Sequence, residues 1–261
     1  MSEEKPLVSV IMNCHNGEKY LKQSVKSIIA QTYNNWELIF WDNQSTDNSK
    51  NIIYKFSDNR IKYFKSTSFK KLYESRNLAI QKAKGKLVFF LDTDDMWMQD
   101  KIEKQVNFLE KNKDFQIVYS NYYILDDFNK KKSIMIKNKL SSGIIFNDLL
   151  KNYTVGIITV CLNRDIFKNY SFDNNFDIIG DFDLILRLSE TKKIGYIHDA
   201  LSIYRLHDSN LSKKKIDLHA KEIQGWIEYN KDKYKDKKNF KYLKFYLFKL
   251  KLKNFFSFCF K

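Results

Sequence analysis

Residues 7–41 read LVSVIMNCHNGEKYLKQSVKSIIAQTYNNWELIFW, and this stretch decides the fold. Leu7 to Met12 is a short apolar, β-branched run, the pattern of a buried strand. Asn13-Cys14-His15-Asn16-Gly17 then supplies turn chemistry. From Glu18 to Gln31 the apolar positions Tyr20, Leu21, Val25, Ile28 and Ile29 recur at helical spacing, which predicts a helix packed back on that strand. Trp36 to Trp41 is a second apolar strand. Strand, helix and strand in this order form a βαβ unit, and such a unit implies a parallel sheet.

Outward from this unit the pattern repeats. A helix is predicted around Ser49 to Phe56, a strand at Ile61 to Phe64, a helix over Leu72 to Ala83 and a strong strand at Lys86 to Leu91. The expected fold is α/β, a doubly wound, Rossmann-like and mostly parallel sheet flanked by helices. Ligands of such sheets bind at the carboxyl ends of the strands, which here carry Asn13, Asp42 and Asp92 to Asp95. After a helix at Asp100 to Lys111, strands are predicted at Gln116 to Tyr122, Ser133 to Ile136 and Ile157 to Leu162. A turn-rich segment, Ser171 to Gly180, leads into a helix over Asp181 to Glu190, followed by strands at Gly195 to Ile197 and Leu201 to Tyr204. No repeat or linker divides residues 1–212. Residues 213–261 change character, becoming a lysine-rich and aromatic helical tail. Leu243, Tyr246, Leu247 and Leu250 share a lysine-free face there, while Phe245 and Phe248 fall among the lysines.

Composition narrows the partners. Hydrophobic residues make up 43% of 261 positions, with 7 glycines and 1 proline, which excludes a fibrous or disordered chain. The net charge of +15 predicts attraction to an anion: a nucleotide, nucleic acid or an acidic membrane surface. Cys14, Cys161 and Cys259 form no C-x-x-C pair, so neither a disulfide framework nor a zinc site is expected, and a reducing cytoplasm fits. The start, Met-Ser-Glu-Glu-Lys-Pro, carries no secretion signal. Lysines interrupt every apolar run before the roughly 18 residues of a spanning helix, so contact with a membrane would be peripheral.

Several acidic residues and one histidine admit chemistry. Asp92-Thr93-Asp94-Asp95 follows the most apolar strand, and clustered carboxylates repel unless a cation joins them. Magnesium or manganese would suit, taking one or two carboxylates together with substrate phosphates; a plain helix cap is the simpler explanation. Asp42 can bind a base or ribose, or merely close an Asx-turn. Asp181 and Asp183 open a helix, where carboxylates cap and offset the dipole, or where one of them acts as a general base. His207 lies in a loop, solvated or completing a metal shell. His15, His198 and His219 are given no role.

Taken in order, these segments resemble the family-2 glycosyltransferases of GT-A fold, from about Leu7 to Ser212. The opening strand and helix are similar to that family's first elements, and W-D-N-Q-S-T-D-N-S to its D-D-G-S-T-D-type loop. E-S-R-N-L-A-I-Q-K-A-K-G-K resembles the donor-side helix, L-D-T-D-D the D-x-D metal motif, and I-I-G-D-F-D-L-I-L-R-L the E-D-x-D-L-x-x-R-L segment. The resemblance implies a nucleotide-sugar half at 1–95 and an acceptor half at 96–212. It places Asn13, Asn16, Glu18, Asp42, Arg76, Asp92 and Thr93 at the donor, Asp94 and His207 at a Mn2+ or Mg2+ ion, and Asp181 as the base of an inverting displacement.

It further implies a nucleoside-diphosphate sugar donor, UDP being the commonest. The acceptor would be a glycan or lipid-linked glycan of the cell surface, and the basic tail would lie on an anionic membrane, the inner face of the cell membrane. Three departures stand out: Asn13 for a common proline, Asn43-Gln44 for Asp-Gly, and Gly180 for an acidic residue. Lys130 to Asn152 matches nothing specific. A nucleotidyltransferase would need a glycine-rich phosphate loop, where only Gly17 appears, and a nucleic-acid-binding module would leave the acidic edge unexplained, so no nucleic acid is expected.

Overall fold

The computed structural model describes residues 5–259 apart from 235 and 238; the first four residues of the opening segment and the last two of the tail lie outside this range. The chain runs β1 (Val8–Cys14), α1 (Glu18–Ile29), β2 (Trp36–Asp42), α2 (Ser49–Tyr54), β3 (Ile61–Lys65), α3 (Leu72–Ile80) and β4 (Leu87–Phe90). It continues with β5 (Met96–Trp97), α4 (Lys101–Lys111), β6 (Ile117–Asp126), β7 (Lys131–Ile134), α5 (Phe146–Lys151) and β8 (Val160–Asn163). Last come α6 (Gly180–Ser189), β9 (Ile194–Leu206), α7 (Leu211–Lys214), α8 (Ile216–Tyr234) and α9 (Phe240–Cys259).

The sheet has the order β3-β2-β1-β4-β8-β6-β9-β5, with β7 paired to β6. β3, β2, β1 and β4 are mutually parallel, as the βαβ reading requires. β1 and β2 are apolar almost throughout because both their faces are covered, and α1 lays Leu21, Val25 and Ile28 on the sheet. At the amino end of these strands Ser9 Oγ donates to Glu37 Oε1 (2.6 Å) and accepts the Gly85 N–H (2.8 Å). The backbones approach so closely there that a Cβ on Gly85 would sit 2.5 Å from the Ser9 nitrogen.

Beyond β4 the sheet is mixed. β8 is antiparallel to both β4 and β6, while β6 and β9 are parallel. The two strands expected at 195–197 and 201–204 are one strand, β9, which follows β6 along its whole length. Exposed His198 and Asp199 interrupt the apolar pattern, and the register shifts between Ser120 and Tyr122. Residues 157–159 form a 3-10 turn before β8. α5 was not expected; its six residues bury Phe146, Leu149 and Leu150, too few for a clear period.

The segment after 212 packs on this body. α8 buries Ile223, Trp226, Ile227 and Tyr234, and α9 lies against α5 and α8 through Phe240, Leu243 and Leu250. Leu247 of the lysine-free face is half-buried, while Tyr246 is more open. Among the described residues no helix is long and apolar enough to cross a membrane.

Candidate active site

A cleft of about 570 Å³ opens at the carboxyl ends of the parallel strands. Asn13, Arg76, Asp92, Thr93, Asp94 and Asp181 all line it, so most of the residues singled out in the sequence converge on one space. Asn13, next to last in β1, has both side-chain amide atoms buried and unpartnered within the protein. A buried amide without partners calls for one, and here it faces the cleft.

The acidic turn is tied down by its neighbours. Asp95 N–H closes on the Asp92 carbonyl at 3.2 Å. Ser24 Oγ lies 2.7 and 2.6 Å from the carbonyls of Thr93 and Asp95. A Cβ on Gly17 would come within 2.9 Å of Thr93 Oγ1, so the start of α1 can approach this turn only as glycine. Asp95 also lines the cleft, accepts the Arg205 N–H (2.8 Å) and is buried.

The remaining carboxylates differ in their partners. Asp92 Oδ1 accepts from Arg76, a buried guanidinium, at 2.7 Å. Asp94 Oδ2 lies 2.9 Å from His207 Nε2. The Ser209 N–H points at His207 Nδ1 (3.1 Å), which assigns the imidazole proton to Nε2, donating to Asp94. Burial pushes the Asp94 carboxyl above its ordinary value, the Asp92 charge pushes the same way, and His207 opposes both. Asp95 is raised further by burial and then by Asp94 and Asp92. Asp181 is raised by burial, with Arg76 opposing.

Among the described residues no three histidine, cysteine or acidic side chains converge into a ready cation shell. Asp94 and His207 meet, whereas Asp92 turns one oxygen to Arg76. A hard cation would take the place of the Nε2 proton between Asp94 and His207 and bring the rest of its shell with it, as magnesium and manganese do with substrate phosphates. The raised Asp94 and Asp95 are carboxylates that such a charge would relieve.

Asn16, Glu18 and Asp42 do not line the cleft. Asn16, in the left-handed region at φ 55°, accepts the Thr46 N–H at 2.8 Å, and Glu18 Oε2 accepts the Asn48 N–H at 2.8 Å. Asp42 is buried, with its oxygens taken by the Ser45 N–H (2.8 Å) and the Tyr63 hydroxyl (2.5 Å). All three fix the loop after β2. The Asn43-Gln44 departure has a use there: Asn43 pairs with both the N–H (3.0 Å) and the carbonyl (2.7 Å) of Lys70, and Gln44, at φ 61°, donates to the Ser66 carbonyl.

That pairing brings Phe69, Lys70 and Lys71 to the cleft, where no motif pointed. His15, given no role from sequence, lies edge-on to Phe69 at 4.8 Å with its Nδ1 2.9 Å from the Asn43 carbonyl. Tyr73, also missed, is one helical turn before Arg76 and reaches Asp181 Oδ1 (3.1 Å). Its spacing from Arg76 was the available signal.

The model of "Glycosyl transferase family 2" matches residues 9–171. UDP-Glc:alpha-D-GlcNAc-diphosphoundecaprenol beta-1,3-glucosyltransferase WfgD of Escherichia coli is 36% identical over 211 residues, 80% of this chain and 81% of that protein. WfaP of the same organism, with the same described activity, is 36% identical over 212 residues, 80% of this chain and 81% of that one. Among solved structures, S. aureus TarS 1-349 in complex with UDP superposes with TM-score 0.65 at 20% identity, over 83% of this chain and 65% of that chain. The mannosyltransferase PcManGT of Pyrobaculum calidifontis, with GDP-Man and Mn2+, gives TM-score 0.64 at 15% identity, over 87% of this chain and 65% of that chain. This chain therefore spans 65% of each of those solved chains, and the likeness establishes the GT-A fold. With the family model over residues 9–171 and relatives more than a third identical along most of its length, the chain belongs to glycosyl transferase family 2 and is a glycosyltransferase.

Proposed function

We propose that this chain moves a hexosyl unit, glucosyl in the first instance, from a UDP-sugar to a hydroxyl of a sugar carried on a lipid diphosphate, with inversion, during synthesis of a cell-surface polysaccharide. One observation carries the reading: Asp181, a half-buried carboxylate, lines the same cleft as the Asp92 to Asp95 turn, and Arg76 is held between them. The relatives described as acting on UDP-glucose and a diphosphoundecaprenol-linked sugar support the choice of donor and acceptor.

In this reading Asp181 takes the proton from the acceptor hydroxyl as that oxygen attacks the anomeric carbon and the bond to the diphosphate oxygen breaks. A carboxyl whose proton affinity burial has raised is the stronger base. Asp94, with His207 beside it, would hold a divalent cation, manganese or magnesium, which supplies neutralisation of the charge growing on the leaving diphosphate. Arg76 fixes Asp92 at the donor, and Thr93 keeps the turn seated on Gly17. The Asn13 amide and the wall of His15 and Phe69 take the nucleoside, while Asn16, Glu18 and Asp42 act on the donor by fixing the loop after β2.

α9 exposes Phe245 (54%), Phe248 (55%) and Leu252 (41%) among exposed Lys244, Lys249 and Lys251. Apolar side chains interleaved with lysines suit an anionic bilayer surface, which would bring the cleft to a lipid-carried acceptor at the inner face of the cell membrane.

The test is calorimetry of UDP, GDP and CDP with manganese and then EDTA, paired with transfer of labelled glucose to a lipid diphosphate bearing N-acetylglucosamine. Metal-dependent UDP binding and a product of inverted configuration are expected. Failure of all three nucleotides to bind would overturn the reading.

A further inference from the structure

Two residues that belong to no motif grip the turn that delivers Asp181. Ile178 is held from both sides: its N–H donates to Glu222 Oε2 on α8 (3.0 Å), and its carbonyl accepts from the Tyr73 hydroxyl on α3 (2.7 Å). Glu222 also accepts the N–H groups of Asp177 (2.7 Å) and Ile179 (3.1 Å). One carboxylate thus receives three backbone donors just before α6 begins, where a negative charge is also favoured by the helix dipole. One turn along α8, the Trp226 indole donates to Asp183 Oδ1 at 3.0 Å, pinning α8 to α6 a second time.

Tyr73 is fitted with equal care. Its ring stacks on Phe172 at 5.4 Å and lies so close to the start of α6 that a Cβ on Gly180 would be 2.5 Å from it. Gly180 is therefore the clearance that admits Tyr73. Asp181 Oδ1 accepts the Phe182 N–H (2.9 Å) and shares the single Tyr73 hydroxyl proton, at 3.1 Å, with the Ile178 carbonyl, which leaves Oδ2 for an incoming hydroxyl. Three residues on from Tyr73, Arg76 holds Asp92, so one face of α3 sets both sides of the cleft.

We infer that Tyr73 and Glu222 are positioning residues, a two-sided clamp on residues 177–179 that aims Asp181 at the acceptor hydroxyl, and that α8, beyond the family-matched segment, is part of the active site. This rests on Asp181 being the base. Around Asp181 the facing charged or titratable groups are Arg76, Asp92 and the phenols of Tyr73, Tyr153 and Tyr246. Of the phenols, Tyr73 alone is seen to hydrogen-bond it among the described residues.

The experiment uses the full chain with Tyr73→Phe, Glu222→Gln, the double variant and Asp181→Asn, measuring kcat, KM for the donor, UDP affinity and the pH profile of kcat. Each single clamp variant should lower kcat about tenfold, the rate equivalent of one hydrogen bond, with UDP affinity unchanged. The double should lose less than the product of the singles, because the two act on one turn. Tyr73→Phe should also move the rising limb of kcat to higher pH, since the lost donor favoured the charged carboxylate. Wild-type kcat in Tyr73→Phe, alongside an inactive Asp181→Asn, would overturn the clamp and leave the transferase reading standing. Full activity in Asp181→Asn would overturn the base assignment instead. Should Glu222→Gln melt early or lose UDP affinity in step with kcat, α8 would be structural support only and the Glu222 half of the clamp would fall.

Discussion

The two walls of the cleft are held in different ways. On the proposed donor side the turn 92–95 grows directly out of β4, and its supports, Ser24 and Gly17, belong to the helix that packs against the same parallel strands and to its N-cap. On the proposed acceptor side Asp181 stands at the start of α6, and the turn before it is held by side chains from α3 and α8, 105 and 44 residues away in sequence respectively. A wall made by strand ends inherits the rigidity of the sheet; a wall made by long-range side-chain contacts can be loosened without unfolding it. Substitutions on the two sides should therefore separate binding from chemistry.

The largest effects test that separation. Asp181→Asn removes the proposed base while keeping its shape, and transfer should fall by about 10²–10⁴-fold with UDP affinity intact. Asp94→Ala should lose UDP binding together with activity, and EDTA should mimic it in the wild type. Equal UDP affinity in Asp94→Ala, measured by calorimetry, would break the assignment of a metal-bound donor side.

Two glycines sharpen the comparison. A methyl on Gly85 meets backbone, the Ser9 nitrogen at 2.5 Å, which cannot step aside in the middle of paired strands. Gly85→Ala should cost stability, about 1–3 kcal/mol, read as a lower melting temperature. At Gly180 the methyl meets the Tyr73 ring instead, also at 2.5 Å. Gly180→Ala should lower kcat by displacing that ring, with a smaller change in melting temperature. If both variants changed only the melting temperature, the two walls would not differ in kind.

Legibility followed the same division. The parallel half was readable because β1, β2 and β4 are mostly apolar and α1 carries a regular stripe in Leu21, Val25 and Ile28. Asp92, Thr93, Asp94, Asp181, Asn13 and Arg76 all line one cleft. Asn16, Glu18 and Asp42 were placed at the donor, yet they bind the loop behind it, because a polar loop residue looks the same from sequence whether it faces ligand or backbone. Phe69 and Lys70 reach the cleft through Asn43, and Glu222 reaches the backbone of residues 177–179 through the packing of α8. Such contacts join segments far apart in sequence and leave no periodic trace. The bulge that fuses two expected strands into β9 escaped for a related reason: exposed His198 and Asp199 look like a loop unless the long partner β6 is known.

The pH dependence comes next in size. Burial raises the Asp181 carboxyl, so its basic form is reached at higher pH than for an ordinary aspartate near 3.9. The rate should accordingly fall as pH drops through that raised value, giving a rising limb of kcat above the usual carboxylate range. A limb at or below pH about 4 would mean that the acceptor-side wall is wetter than its packing indicates.

The smallest effect falls on α8. Gly225 is exposed in the middle of this helix, with nothing within 4 Å of the space a Cβ would occupy. Glycine costs helix stability there without a packing return, so Gly225→Ala should raise stability by about 0.5–1 kcal/mol. Its neighbours Glu222 and Trp226 hold the base-bearing turn and α6, so a firmer α8 should slow local opening of residues 177–179 as well. Hydrogen exchange at the Ile178 amide is the discriminating measurement. Slower exchange there, with little change in the amides of β1, would tie the helix to the acceptor-side wall; a uniform slowing would mean that α8 supports the whole domain and neither wall in particular.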